Sequence, residues 1–178
     1  MLDKLFILLK SVIESAQLPD GTAFNPPDWV SLAGLPANAY SGDVADVLYL
    51  TLVNVEEEKI IKNQLNTRRN PNDTSKMITV NQGINLNVYI SASANFKTYT
   101  EALKRLSYVI RVFQRKKIFT DTEISQILKD KNDIPPILNQ VIVDLYAQSL
   151  DQQYQFSQSY VNKQIPTIIY KVRLQVLE

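Results

Sequence analysis

INLNVYISASANFKTYTEALKRLSYVIRVFQRK, residues 84–116, carries two hydrophobic periods back to back. Ile84, Leu86, Val88, Ile90 and Ala92 alternate with Asn85, Asn87, Tyr89 and Ser91. A period of two is the pattern of a half-buried strand, so this segment predicts a strand with one wet or interfacial face. The period then lengthens. Phe96, Tyr99, Leu103, Leu106, Ile110 and Phe113 step by threes and fours, which predicts a helix over about residues 97–116 with that stripe packed on a sheet. Asn95 or Thr98 can cap it, and Thr98 has Glu101 three residues on, the capping-box spacing.

Downstream, Ile118-Phe119-Thr120 reads as a short extended piece, and Thr120 to Glu123 opens a weak helical turn ending near Lys131. Pro135-Pro136 forces extended backbone. Leu138 to Tyr146 predicts another strand, with Val141, Val143 and Leu145 on one face and Ile142 and Tyr146 on the other. Ser149 and Asp151 can cap a short helix through about Tyr160. Ile168, Tyr170, Val172, Leu174 and Val176 alternate with polar partners as a closing strand.

Upstream, Leu2, Leu5, Phe6, Leu9, Val12, Ile13 and Ala16 form one face of a helix over residues 2–17, stopped by Pro19-Asp20-Gly21. Residues 18–45 read as a long loop with apolar anchors at Phe24, Trp29, Val30, Leu32 and Leu35. Such a loop is either a binding arm or a cover that buries Trp29 on the core. Val47 to Val55 is apolar on both faces at its start, which predicts a central strand ended at the surface by Glu56, Glu57 and Glu58. Residues 66–83 are polar and predict a connecting loop.

The order helix, strand, strand, helix, strand, helix, strand lacks the strict alternation of a doubly wound sheet. It predicts an α+β fold: a four-stranded, mixed or mainly antiparallel sheet with flanking helices. At 178 residues the chain is expected to form a single domain over 1–178, with the helix at 2–17, the loop at 18–45 and an α+β core at 46–178.

Composition narrows the chemistry. The chain has no Cys and no His, which removes the usual zinc sites, thiol chemistry and every Ser-His or Cys-His nucleophile pair. The four glycines, Gly21, Gly34, Gly42 and Gly83, lie too far apart for a phosphate-cradling loop. Nineteen basic against eighteen acidic residues argue against a general nucleic-acid binder. The apolar run from Leu5 to Leu9 is too short for a secretory or membrane-spanning segment, so a soluble intracellular protein is expected. No catalytic residue, cofactor or metal site is expected, and an interaction protein is favoured over an enzyme.

Two charged stretches remain. Residues 43–58 hold Asp43, Asp46, Glu56, Glu57 and Glu58 with no Lys or Arg. Adjacent residues of a strand point to opposite faces, so the three glutamates do not converge on one ion. Residues 97–117 hold seven basic residues, among them Lys104, Arg105, Arg111 and Arg115, against Glu101 alone. The plain reading is two solvated surfaces, with the last-turn cations complementing the helix dipole. The alternative pairs the two patches between copies, head to tail, which closes a ring or opens a filament.

The segment order resembles one bacterial family, the cap or tube-terminator proteins of contractile injection systems, which include phage-tail-like particles, extracellular injection machines and type VI-like systems. The resemblance lies in Ile84 to Gln114 followed by Ile118-Phe119-Thr120, in Val53 to Asn63 with its acidic bend, in Leu145 to Gln153, and in Ile165 to Leu174. It covers about residues 47–178 and, more weakly, the first helix. Two positions depart: Phe156 and Tyr160 stand where the family often has Trp, and Asn162 or Lys163 where it commonly has Gly. The resemblance implies a tail-terminator-like fold and a non-enzymatic cap. Such a cap ends the inner tube, and helps close the sheath, at the end distal to the baseplate. The implied partners are five further copies in a hexamer, the tube protein and the sheath protein, with no nucleic acid and no membrane insertion. Assembly is implied in the bacterial cytoplasm, with the cap at the distal end of the finished particle. A generic interaction or adaptor module, such as a phage tail completion protein, is the other reading.

Overall fold

The computed structural model describes residues 1–17, 28–33, 46–58, 67–70, 73–79, 84–129, 138–147 and 165–176. In chain order the elements are α1 (Leu2–Ser15), β1 (Val30–Leu32), β2 (Val47–Glu57), β3 (Thr67–Asn70), β4 (Asp73–Thr79), β5 (Ile84–Asn95), α2 (Tyr99–Arg115), β6 (Ile118–Thr120), α3 (Asp121–Lys129), β7 (Leu138–Leu145) and β8 (Thr167–Val176). The helix expected to end near Tyr160, Asp43 and the departures at Phe156 to Lys163 lie outside the described residues.

The α+β class stands, but the sheet has six strands instead of four, in the order β1-β2-β5-β8-β7-β6. Only β1 and β2 run parallel; every other neighbour is antiparallel. The two extra strands are three-residue edges, β1 and β6, too short to show a period. β1 lies inside the expected loop 18–45. The expected loop 66–83 contains the antiparallel pair β3–β4, a second sheet of two strands. Its residues carry no apolar alternation, so periodicity had nothing to detect.

Register sorts the large sheet into two faces. Leu48 and Leu50 pair with Ala94 and Ala92. Val88 and Leu86 pair with Val172 and Leu174, which in turn pair with Val143 and Val141, and Phe119 follows on β6. All of these except the half-buried Leu86 are buried in one core with Leu5, Leu8, Leu9 and Ile13 of α1, Leu106, Val109 and Phe113 of α2, and Ile124 and Leu128 of α3. The three helices therefore cover one face. Trp29 is buried against it and meets Tyr108 edge to face at 5.9 Å, while Phe113 meets Tyr170 at 5.0 Å.

Glu14 ties the entry of β1 to α1, accepting from the amides of Asp28 (3.1 Å) and Val30 (3.4 Å). Asp28 holds a positive φ of 78°, a region Asp tolerates better than most residues.

The expected stripe on α2 holds at Leu106 and Phe113 and fails at Tyr99 and Leu103. Ala102, Leu106, Tyr108, Val109, Val112 and Phe113 are buried, whereas Tyr99 is 67% and Leu103 43% exposed. Phe96, buried as expected, precedes the Thr98 cap and lies outside the helix. The cap itself is as expected: Thr98 Oγ1 accepts from the Glu101 amide at 3.2 Å.

The expected wet face of β5 is mostly covered. Asn87, Ser91, Ser93 and Asn95 are buried. β5 has neighbours on both sides along its length, and its small polar side chains lie between larger ones such as Tyr49 and Ile169. β2 is an inner strand only at its start, since β1 pairs no further than Leu50. Leu145, expected on the face of Val141 and Val143, is exposed where β7 runs out of the core.

Candidate interaction surfaces

β2 alternates, so a bulge between Leu52 and Asn54 decides which glutamates reach the polar sheet face. Glu56 stands opposite Asn87, and Glu57 opposite the core-facing Leu86. Glu58 Oε2 accepts from Asn87 Nδ2 at 2.7 Å and lies 3.9 Å from Lys171 Nζ. Glu56 accepts from Asn54 Nδ2 at 3.0 Å and from the Tyr89 hydroxyl at 3.3 Å. Burial, then the Glu56 charge, push the Tyr89 hydroxyl pKa up. Tyr89 packs edge to face on Tyr146 at 5.1 Å, and Arg173 pairs with Asp144 at 2.7 Å. The polar face thus joins Glu56 on β2 and Glu58 just beyond it to the neutral Asn87 and Tyr89 of β5, and the cations Lys171 and Arg173 of β8 to Glu58 and to Asp144 of β7. Glu56 and Glu58 are anchored in it rather than forming a free acidic cluster.

The basic helix divides as well. Arg105, only 13% exposed, bonds Glu101 through Nε at 3.1 Å and lies over the Trp29 and Phe96 rings at 4.9 and 5.4 Å. It is a packing residue. Arg115 donates through Nη1 to the Gln17 carbonyl at 2.8 Å, and the Tyr108 hydroxyl donates to the carbonyls of Ile13 and Ala16. These two satisfy carbonyls that the end of α1 leaves without helical partners. Burial raises the Tyr108 pKa. Lys104, exposed, lies 3.9 Å from Glu101, and Arg111 is also exposed.

Asp46 connects the two patches inside one chain. Its carboxylate accepts from the Lys97 amide at 3.0 Å and lies 3.7 Å from Lys97 Nζ. Asp46 and the start of α2 are therefore neighbours, whereas Glu56 and Glu57 stand at the other end of β2, roughly 30 Å away at strand rise. Arg111 and Arg115 lie near the far end of α2.

Charge counting alone does not find the apolar members of these surfaces. Leu52 and Val55 are exposed beside Glu56 and Glu57, and Tyr99 and Leu103 beside Lys97 and Lys104. A cleft of about 420 Å³ opens between the ends of α1 and α2, floored by Val12, Val112, Phe119 and Ile127 with Arg115 and Lys116 at its lining. Among the described residues no cluster of three or more acidic side chains can hold a metal ion, and no helix is long and apolar enough to cross a membrane.

No curated protein matches the chain. A family model described as the Pvc16 N-terminal domain matches residues 8–178. Two solved structures share the fold. One is a cryo-electron-microscopy structure of the sheath/tube terminator of an extracellular contractile injection system, PVC, in its extended state. It matches with a TM-score of 0.63 at 12% identity over 100% of this chain and 57% of that one. The other is the tube-terminating cap of the anti-feeding prophage, with a TM-score of 0.57 at 12% identity over 99% of this chain and 54% of that one. The chain spans little more than half the length of those structures' chains.

Proposed function

The chain belongs to the Pvc16 N-terminal domain family, and from that premise we propose that it is a non-enzymatic cap ending the inner tube of a contractile injection system. The observation that supports this reading is the likeness of fold over nearly the whole chain to two terminator structures of such systems. The further terms follow the same line. Residues 1–178 act as one domain, six copies form the ring, and the ring meets the tube and sheath proteins at the baseplate-distal end. Assembly takes place in the bacterial cytoplasm.

Within that ring, head-to-tail contact places the outer side of α2 against the far end of β2 of the next copy. Lys104 and Arg111 supply the positive side, Glu56 and Glu57 the negative, with Tyr99 and Leu103 facing Leu52 and Val55 between them. Arg105 and Arg115 support this surface from within, and Asp46, with Asp43 outside the described residues, borders it. Rim charge pairs are worth only ~0.2–1 kcal/mol each and are screened by salt, so the tube end serves as the template that completes the ring.

Electron microscopy of particles carrying a labelled copy tests the reading. Label confined to one end, opposite the baseplate, is expected, and loss of the gene product should yield tubes of uncontrolled length or few complete particles. Label along the tube or at the baseplate rejects the cap.

A further inference from the structure

Three helices converge on the cleft of about 420 Å³: α1 and α2 meet there by their last turns, and Ile127 of α3 closes one side. Room exists because α1 ends on small side chains. Its apolar stripe runs through Leu5, Leu9, Val12 and Ala16, and the last member is the smallest. Val112 and Phe119 are buried and seal the floor, while Val12, Ala16 and Ile127 stay half-buried. The volume falls within the range of about 300–1,000 Å³ usual for pockets that hold a ligand.

The lining charge has one sign. Two helices end here, and the negative ends of their dipoles would repel an anion. The carbonyls responsible are already engaged. Those of Ile13 and Ala16 accept from the Tyr108 hydroxyl, that of Gln17 from Arg115 Nη1, and that of Val112 from the Lys116 amide. A guanidinium has five N–H donors, so the Gln17 contact leaves most of those of Arg115 to spare. Lys116 lines the cleft beside it, and Glu123, the carboxylate bonded to Lys116, also accepts from the amide and the hydroxyl of Thr120. Over residues 111–123 the basic side chains outnumber the acidic ones by two. An apolar floor beside an excess of cations is complementary to an apolar side chain that has a carboxylate next to it.

We propose that the cleft seats an acidic, apolar segment of a second protein, with an aliphatic or aromatic side chain on Val12, Val112 and Ile127 and the adjoining carboxylate on Arg115 and Lys116. In the ring, the glutamates at the end of β2 already face α2 of the next copy, so the segment comes from a different chain. The inference deepens the cap reading and rests on it for the presenter, the tube subunit whose end the cap closes.

The purified full chain is titrated with a fluorescein-labelled peptide amide ending Gly-Phe-Leu-Glu-Glu. Saturable binding is expected, about tenfold weaker when Gln-Gln replaces Glu-Glu or Ser-Ser replaces Phe-Leu. Ala16→Leu fills the cleft and leaves the backbone carbonyl for Tyr108. Arg115→Gln removes the charge and keeps a donor for Gln17. Each variant should weaken binding by about tenfold with an unchanged thermal transition. No binding of the first peptide, equal binding of the three peptides, or full binding by both variants overturns the cleft. In assembled particles, a photo-crosslinking benzoylphenylalanine in place of Ser15 is expected to capture a tube-subunit peptide with Asp or Glu beside an apolar residue. Capture of the sheath subunit or of another copy of this chain overturns the tube as occupant. A failed titration in a chain whose label sits at the tube end leaves the cap intact, whereas label elsewhere on the particle overturns the cap itself.

Discussion

Leu48 and Leu52 lie four residues apart on the same strand and point to the same face, yet one is fully buried and the other 40% exposed. The first half of β2 has β1 on one side, β5 on the other and helices above. Among the described residues the second half keeps only β5. Burial here is a property of neighbours and not of residue type. The same contrast recurs on α2 between Leu106, in the core, and Leu103, on the surface. Among the described residues the sheet is therefore polarised: a packed half around β1, α1 and α2, and a more exposed part at the end of β2, after which the hairpin β3–β4 is inserted.

The sharpest way to break that comparison is to truncate both members of each pair. Leu48→Ala and Leu106→Ala are expected to cost ~2–5 kcal/mol in urea melts, the range of buried Leu truncations. Leu52→Ala and Leu103→Ala are expected to cost under ~1 kcal/mol, because much of the side chain is already in water. Equal losses across either pair would mean that the exposed leucines are covered and that the polarity is misplaced.

A smaller effect is expected at the junction of the packed half with α2. Thr98 caps the helix through the Glu101 amide. Thr98→Ala should cost about 1 kcal/mol and Thr98→Asp should restore most of it. If the aspartate variant is as unstable as the alanine variant, the hydroxyl matters through packing and not as a cap. Asp46→Ala, which removes the contacts to Lys97, should cost less, below ~1 kcal/mol, and the loss should shrink further in high salt.

The packed half is also the half that was legible in the sequence. Long segments with a full period, β5, β8 and α1, declare themselves because burial forces apolar residues into register. The cap at Thr98 was legible because its chemistry is local. The buried face of α2 was legible at Leu106 and Phe113 but not at Tyr99 and Leu103, which fit the same spacing and are exposed. β1, with three residues, and the polar hairpin β3–β4 hold no period and were invisible, whereas Ile118–Thr120 was legible as a short extended piece but not as a strand of the sheet. The charged patches were legible as composition only. Arg105 spends its charge over Trp29 and Arg115 on the carbonyl of Gln17, and neither long-range contact leaves a trace in sequence spacing.

The smallest effect concerns a carboxylate in the packed half. Glu123 accepts from Lys116 Nζ at 2.6 Å, from the Thr120 amide at 3.0 Å and from the Thr120 hydroxyl at 3.1 Å. It thereby fastens the end of α2 to the first turn of α3, with the return half of a capping box supplied by its own carboxylate. The Lys116 hydrogen bond first, then the Thr120 amide, hold its pKa down at about 2 from the ordinary 4.5. A folded-state pKa below the unfolded one means that the stabilisation is complete above pH 4.5 and fades as pH falls toward 2. Glu123→Gln should therefore be less stable than the parent at neutral pH, by under ~1 kcal/mol because the pair is partly exposed to solvent. The gap between the two melts should close between pH 4.5 and 2, since the parent loses through protonation what the variant never had. A gap that stays constant across that window would show that Glu123 acts by shape and hydrogen bonding alone, and that its charge does not help hold α3 to the packed half.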